Sequence, residues 1–339
     1  MGRFSKFLCI AAIGIFVFPL SMTSRAVAQP IKLIMTHEIA LTHWKHPLMA
    51  KYGKLVEERT KGRVKTELYP AGQLYSDKNA VAALGTGSVH MVWPVTVNVE
   101  SLVPAFALMN FPMFLEDELM LKNPQFKKDL NVMLSKLLAP KGIRLMGVLR
   151  TSEILCIFKK GVTPQKISDM KGLKIRTTGG LVWLDIWKSL GVTAVGMPAS
   201  EMAAALAQGV IDGIHTSPAG WSQMVGMAAP YALKQPDFYI ATYQALVDDK
   251  WFRQLPQDIQ EIMQGTLNEL LNVQWQEGMD QDEKELKIME KKGAKIHILT
   301  KEEIRKEWMP LCKPAFENFS KRFPEAYKEA MALKAKYSK

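Results

Sequence analysis

Residues 169–180 read DMKGLKIRTTGG, and residues 208–220 read QGVIDGIHTSPAG. In the first stretch Leu173 to Thr177 alternates apolar and polar residues, which predicts a short strand. It is preceded by the loop 161-GVTPQKISDMKG and followed by Gly179 and Gly180, after which Leu181 to Leu190 reads as a helix. Arg176 therefore stands at the end of a strand that turns through two glycines into a helix. The second stretch closes a helix near Ser200 to Gln208, continues into a short strand at Val210 to Asp212, and enters a Gly/Pro-rich run that lasts to Pro230.

The same alternation extends outward in both directions. Toward the N-terminus, strands are expected at Ile31–Met35, Val64–Tyr69, Val89–Pro94, Gly142–Leu149 and Ile154–Phe158. Between them lie a helix from Pro47 to Thr60, with Leu48, Tyr52, Leu55 and Val56 at helical spacing and Gly62 as its stop, a helix from Asn79 to Gly85, and a helical region over 117–139. From Pro256 the chain reads as helix, with an apolar stripe of Ile259, Ile262, Leu267, Leu270 and Leu271. One more strand is expected at Ala294 to Leu299 before a helical C-terminal region. Strands that alternate with helices predict an α/β fold with mainly parallel sheets covered on both faces.

Met1 to Ala28 carries Arg3 and Lys6, an apolar run from Phe7 to Leu20, and Ala26-Val27-Ala28 at its end. Those are the three regions of a secretory signal, expected to be cleaved after Ala28 and to leave an exported, soluble protein. The apolar run is too short to span a bilayer, which takes roughly 20 residues. Cys9 lacks the small residues that precede a lipid-modified cysteine. Cleavage removes Arg3, Lys6 and Arg25 and no acid, so the formal charge falls from +11 to +8, a balance that favours anionic partners. Nucleic acid is not expected, because basic residues alternate with acids, as in 282-DEKELKIMEKK. Two cysteines remain, Cys156 and Cys312, which excludes a disulfide framework and leaves either two thiols or one bridge.

The chain shows no P-loop, no G-x-G-x-x-G and no G-x-S-x-G, and its six histidines complete no metal set at a recognisable spacing. Neither a cofactor nor a metal is expected, and Cys156 in an apolar strand reads as an inert thiol.

Four separated segments, 68-LYPAGQL, 110-NFPMF, 169-DMKGLKIRTTGG and 208-QGVIDG, together resemble the substrate-binding subunit of tripartite ATP-independent periplasmic (TRAP) transporters, the DctP-type family. The resemblance covers essentially the whole mature chain. It implies a two-lobe periplasmic-binding-protein-like α/β fold with a ligand cleft, a long helix along both lobes and a helical C-terminal region. On that basis the chain divides into a signal at 1–28, lobe I at 29–150, lobe II at 151–240, a long helical segment returning to lobe I at 241–280, and lobe II completion with C-terminal helices at 281–339. It further implies a periplasmic monomer that closes on its ligand by hinge motion and docks on a membrane permease driven by an ion gradient.

Carried over residue by residue, Arg176 matches the family's anion-binding arginine. Its planar, permanently charged fork suits a bidentate carboxylate independently of the resemblance. Arg150 is a candidate second arginine. Asp212-Gly213 matches the D-G before the family's ligand-contacting Asn, but this chain continues Ile214-His215-Thr216-Ser217-Pro218, so Thr216, Ser217 or His215 must supply that contact. In the first lobe Glu38 and Trp93 fall at ligand-contacting positions, and Val95 stands where sugar-acid binders carry a carboxylate. Gly179 would permit close backbone approach, and Trp183 and Trp221 are each a candidate pocket wall or core aromatic.

The resulting expectation is a solute-binding protein for a small organic anion, a carboxylate or a sulfonate, and not an enzyme. C4-dicarboxylates are an alternative ligand, and presentation to a sensor kinase an alternative role. A hydrolase or lyase with an anion cleft is the rival from the enzyme class.

Overall fold

The computed structural model describes residues 29–39, 41–197 and 199–337, so the leader expected at 1–28 lies outside the described residues. Strand β1 (Ile31–Thr36) alternates as read, burying Leu33 and Met35 on one face. It pairs in parallel with β2 (Val64–Tyr69) on one side and β3 (Met91–Val92) on the other. The crossovers are the helices Lys45–Arg59 and Asp77–Ala83, since parallel neighbours need a covered connection. Two long strands complete this sheet: β4 (Ile143–Glu153), and an antiparallel strand at Ile240–Asp248, which lies between β3 and β4 in the order β2-β1-β3-β10-β4. That strand is β10 in chain order.

The second sheet is built from β5 (Leu155–Phe158), β6 (Lys174–Thr177), β7 (Thr193–Gly196), β8 (Gly213–Thr216), β9 (Tyr231–Lys234) and β11 (Lys295–Ile298), in the order β11-β9-β5-β8-β6-β7. Here β6 is the parallel neighbour of both β7 and β8, again through helices, Leu181–Leu190 and Met202–Ala207.

Three connections join the sheets. The chain leaves the first at Ile154, returns through 235–239 into β10, and runs along both as the 35-residue helix Gln257–Lys291, roughly 50 Å long. Where the first two cross, the Ile154 N–H donates to the Tyr239 carbonyl at 3.0 Å, so the two crossing segments are paired there. The long helix lays Met263, Leu267 and Leu270 on the first sheet, where Gly147 in β4 leaves room for Leu271, and buries Met289 in the second lobe's core. Helix Lys301–Arg322 packs on Leu181–Leu190, and helix Pro324–Tyr337 packs on Pro124–Leu138.

Three readings are corrected. The sheets are mixed, because β10 and β5 run antiparallel to both neighbours, as strands that cross between lobes must when they return. The strand expected at Val210–Asp212 lies three residues later: Gly209, at φ +73°, ends the preceding helix, Val210 is 48% exposed although Ile211 is buried, and strand pairing begins only at Gly213, where the chain enters between β5 and β6. The segment read as helical from 241 opens as a strand, all nine residues of which are buried, and its helix begins at Gln257. A strand buried on both faces has no alternation to reveal it.

Candidate functional site

In the first sheet the chain steps from β1 to one side and then to the other, and in the second it does the same around β6. At such a switch point the carboxyl ends of adjacent parallel strands splay and leave a crevice. The crevices lie at β1/β3 and at β6/β8, and each contains a buried cation.

In the second lobe that cation is Arg176, 3% exposed, in β6. Its Nε and Nη2 donate to the Met197 carbonyl at 3.1 and 2.9 Å, and its Nη1 donates to the His215 carbonyl at 3.3 Å. Three of the five guanidinium N–H groups are thus occupied, leaving one on each Nη. Among the described residues no carboxylate pairs with it, and burial pulls its pKa down to about 10, the mark of a desolvated cation without a counter-charge. His215 in β8 is held neutral, pushed to about 3 by burial and by the Arg176 charge. Its ring packs 4.3 Å from Trp183 and lies parallel to Tyr239. Thr216 is buried beside it, and the Ser217 Oγ accepts from the Gly220 N–H at 2.9 Å, capping the turn that leaves β8.

Gly179 and Gly180 follow β6 at φ +97° and +99°, a backbone region open at little cost only to glycine. Trp183 and Trp221 are core residues: Trp183 packs with Trp187, Tyr239 and Trp308, and the Trp221 Nε1 donates to the Ala229 carbonyl.

In the first lobe the cation is Lys45, which has no exposed surface. Its Nζ donates to Glu38 Oε1 at 2.8 Å and to the Trp93 carbonyl at 3.1 Å, and stands 4.1 Å from the centre of the Tyr243 ring. Three electron-rich partners match the three donors of an ammonium, which fixes Lys45 as a cation although desolvation lowers its pKa. Trp93 itself is buried against Tyr52. His37 and His43, both pushed to about 4 chiefly by burial, add no charge.

The two crevices meet at a seam. Glu100, from the turn of helix Thr96–Glu100 that follows β3, accepts at Oε2 from the Leu181 N–H at 3.1 Å, and at Oε1 from Asn110 Nδ2. Asn110 Oδ1 accepts in turn from the Tyr239 hydroxyl at 2.6 Å. Burial pushes Glu100 up to about 7. A carboxyl whose folded pKa lies above its unfolded value of 4.5 favours the fold most at low pH, and that contribution is lost as pH rises from about 4.5 to 7. We expect the difference in unfolding free energy between the wild-type protein and Glu100→Gln to change by on the order of 3 kcal/mol across that window. Urea unfolding at a series of pH values measures it, and a flat difference would mean that Glu100 is ionised throughout.

Arg150 does not join Arg176. Its Nε and Nη2 donate to the two Asp117 oxygens at 2.9 and 3.2 Å and its Nη1 to Asp282 Oδ2 at 2.6 Å, all of them buried. Gln274 brackets its backbone. Cavities of about 340 and 330 Å³ flank the long helix, the first lined by Arg150 and its aspartates and the second by Trp44, Thr151 and Gln274, and neither reaches Arg176. Cys156 and Cys312 are separate buried thiols, each pushed to about 12 by burial.

The family model for DctP, described as bacterial extracellular solute-binding protein, family 7, matches residues 35–322. The chain belongs to the DctP family. The chain is 28% identical, over 92% of its length and 93% of the relative's, to the C4-dicarboxylate-binding periplasmic protein DctP of Rhodobacter capsulatus. Its fold matches the sugar acid binding protein DctPAm of Advenella mimigardefordensis in complex with galactonate, with a TM-score of 0.78 and 21% identity over 91% of this chain and 99% of that one. It also matches a TRAP periplasmic solute binding protein from Desulfovibrio desulfuricans with bound sn-glycerol-3-phosphate, with a TM-score of 0.80 and 21% identity over 91% of this chain and 98% of that one. The expected two-lobe fold and family are thereby established for this DctP protein.

Sequence reading passed over Lys45, Glu100, Asn110 and Tyr239 as site groups of this DctP protein. For Lys45 a signal existed: Met49, Tyr52 and Val56 form the buried stripe of its helix, and one step back along that stripe falls on Lys45. Glu100 carries no such signal, because its partner Leu181 is 81 residues away.

Proposed function

We propose that this protein captures a small organic acid, a carboxylate or a sulfonate, between the β1/β3 and β6/β8 crevices. The observation that carries the reading is Arg176, a cation buried without a counter-charge and with a free N–H on each Nη. Burying an uncompensated charge is costly, and an anion that accepts both free donors removes that cost while gaining a bidentate, charge-assisted pair. Glu38, Thr216, Ser217 and His215, with the Gly179 backbone, are the polar groups proposed to read the rest of the ligand, and the core residues Trp93 and Trp183 are proposed to back the walls from behind. Arg150 has two carboxylates already and has no part in this reading.

Arg176 is too buried to be reached from solvent, so the lobes must part for entry and close on the acid. We place the protein in the periplasm, exported by the leader at 1–28, acting there as a monomer that delivers its ligand to a TRAP-type permease. This is a binding role and not an enzymatic one, as the family description supports. The Rhodobacter capsulatus relative favours one alternative ligand class, C4-dicarboxylates.

A thermal-shift screen of residues 29–339 against a broad panel of organic acids tests the reading, because a ligand that binds only the folded state raises its melting temperature. Stabilisation by carboxylates or sulfonates is expected. Stabilisation only by cations, neutral sugars or peptides would refute it.

A further inference from the structure

The two crevices contain one cation each, yet they are not equivalent. Arg176 is without a counter-charge, whereas Lys45 is matched by Glu38. Within the Lys45–Glu38 pair the lysine is wholly buried while the Glu38 side chain keeps 18% of its surface, so the carboxylate is the member that an incoming group meets. Two uncharged nitrogens of the first lobe, His37 Nδ1 and Trp93 Nε1, are buried and have no hydrogen-bond partner among the described residues. An imidazole nitrogen and an indole N–H suit a hydroxyl or carbonyl. At the seam Glu100 supplies a further carboxyl and no cation.

We infer that Glu38 sets the charge selectivity of the proposed ligand site: by neutralising Lys45 it leaves room for a single negative charge, so the ligand is a monocarboxylate whose far end is neutral and polar, and dianions are rejected. This rests on the carboxylate reading of Arg176 given above and narrows it. A dianion brought between the lobes would place its second carboxylate against Glu38, in a crevice whose charges sum to no more than +1 even with Glu100 protonated. Like charges held together away from water have no counter-ion to offset them.

The test compares acids of equal length that differ only at the far end, 4-hydroxybutanoate with succinate and 5-hydroxypentanoate with glutarate, by calorimetry at a pH where the diacids are fully ionised. The wild-type protein is expected to bind each hydroxy acid at least about tenfold more tightly than its diacid, as one buried like-charge contact dictates. Glu38→Gln leaves Lys45 without its anion, and the preference is expected to shift toward the diacid by at least about tenfold. The double variant Glu38→Gln/Lys45→Met returns the site to one uncompensated cation and should recover the hydroxy-acid preference. If Glu38→Gln alone does not fold, the wild-type ratio still decides, because equal binding of the two acids refutes the role of Glu38. Equal binding of diacid and hydroxy acid by the wild-type protein, a ratio unmoved in Glu38→Gln, or a double variant that keeps a ratio shifted toward the diacid would overturn the role of Glu38 and leave the organic-acid reading standing. Failure of every carboxylate and sulfonate in the screen would instead remove that reading itself.

Discussion

Replacing Arg176 with methionine is expected to weaken binding of any organic acid that stabilises the wild-type protein by at least about 100-fold, without lowering the melting temperature of the empty protein by more than a few degrees. The two effects separate because they have different sources. Affinity is lost because a bidentate, charge-assisted pair in a water-poor cleft is lost with the guanidinium. Stability is kept because burial already penalises this cation, as the fall of its pKa to about 10 records, and methionine carries no charge to desolvate. The carbonyls of Met197 and His215 lose their donors, which offsets part of that relief. Arg176→Lys should fall between, retaining the charge and losing the fork, with an affinity loss of about tenfold. Calorimetry and thermal melts on the three proteins read both quantities. An unchanged affinity in Arg176→Met would end the assignment, and a collapse in melting temperature would identify Arg176 as a structural residue.

The opposite outcome is expected at Arg150. Arg150→Met should destabilise the protein by about 3–5 kcal/mol, because it strands Asp117 and Asp282 in the interior, while binding to the folded fraction changes little. Asp282 already sits at about 6, raised by burial even with Arg150 beside it. Without the arginine the Asp282 carboxyl loses the charge that holds it down, so the loss should be largest above neutrality and shrink as the pH falls and Asp282 takes up a proton. The triple variant Asp117→Asn/Arg150→Met/Asp282→Asn, with no stranded charge, should recover most of the stability. Urea unfolding measured at about pH 5 and about pH 8 separates these cases. A loss that is independent of pH, or a large fall in ligand affinity at full folding, would argue against a purely structural ion cluster.

These two arginines show how far a sequence can be read. Each ends or lies within a strand, and each was a reasonable candidate for an anion. What distinguishes them is whether a carboxylate neutralises them, and the carboxylates concerned lie 33 and 132 residues away from Arg150. No local pattern encodes that distance. The same holds for Glu100, whose seam contact joins residues separated by 81 positions, and for β10, buried along its whole length and therefore without the alternation that exposes a half-buried strand.

Sequence alone was enough for the family, through four separated motifs in order. It also determined the run of strands and helices from β1 to β6, and the position of Arg176 between a strand and a double-glycine turn. Those features are local: side-chain period follows from backbone geometry, and φ above zero calls for glycine. Only folding set the mixed strand order, the burial of Lys45 with Glu38, the pairing of Arg150 with Asp117 and Asp282, and the lack, among the described residues, of a carboxylate paired with Arg176. Each of these depends on which distant groups share a low-dielectric space, and there the function of a charge is fixed by its neighbours in space.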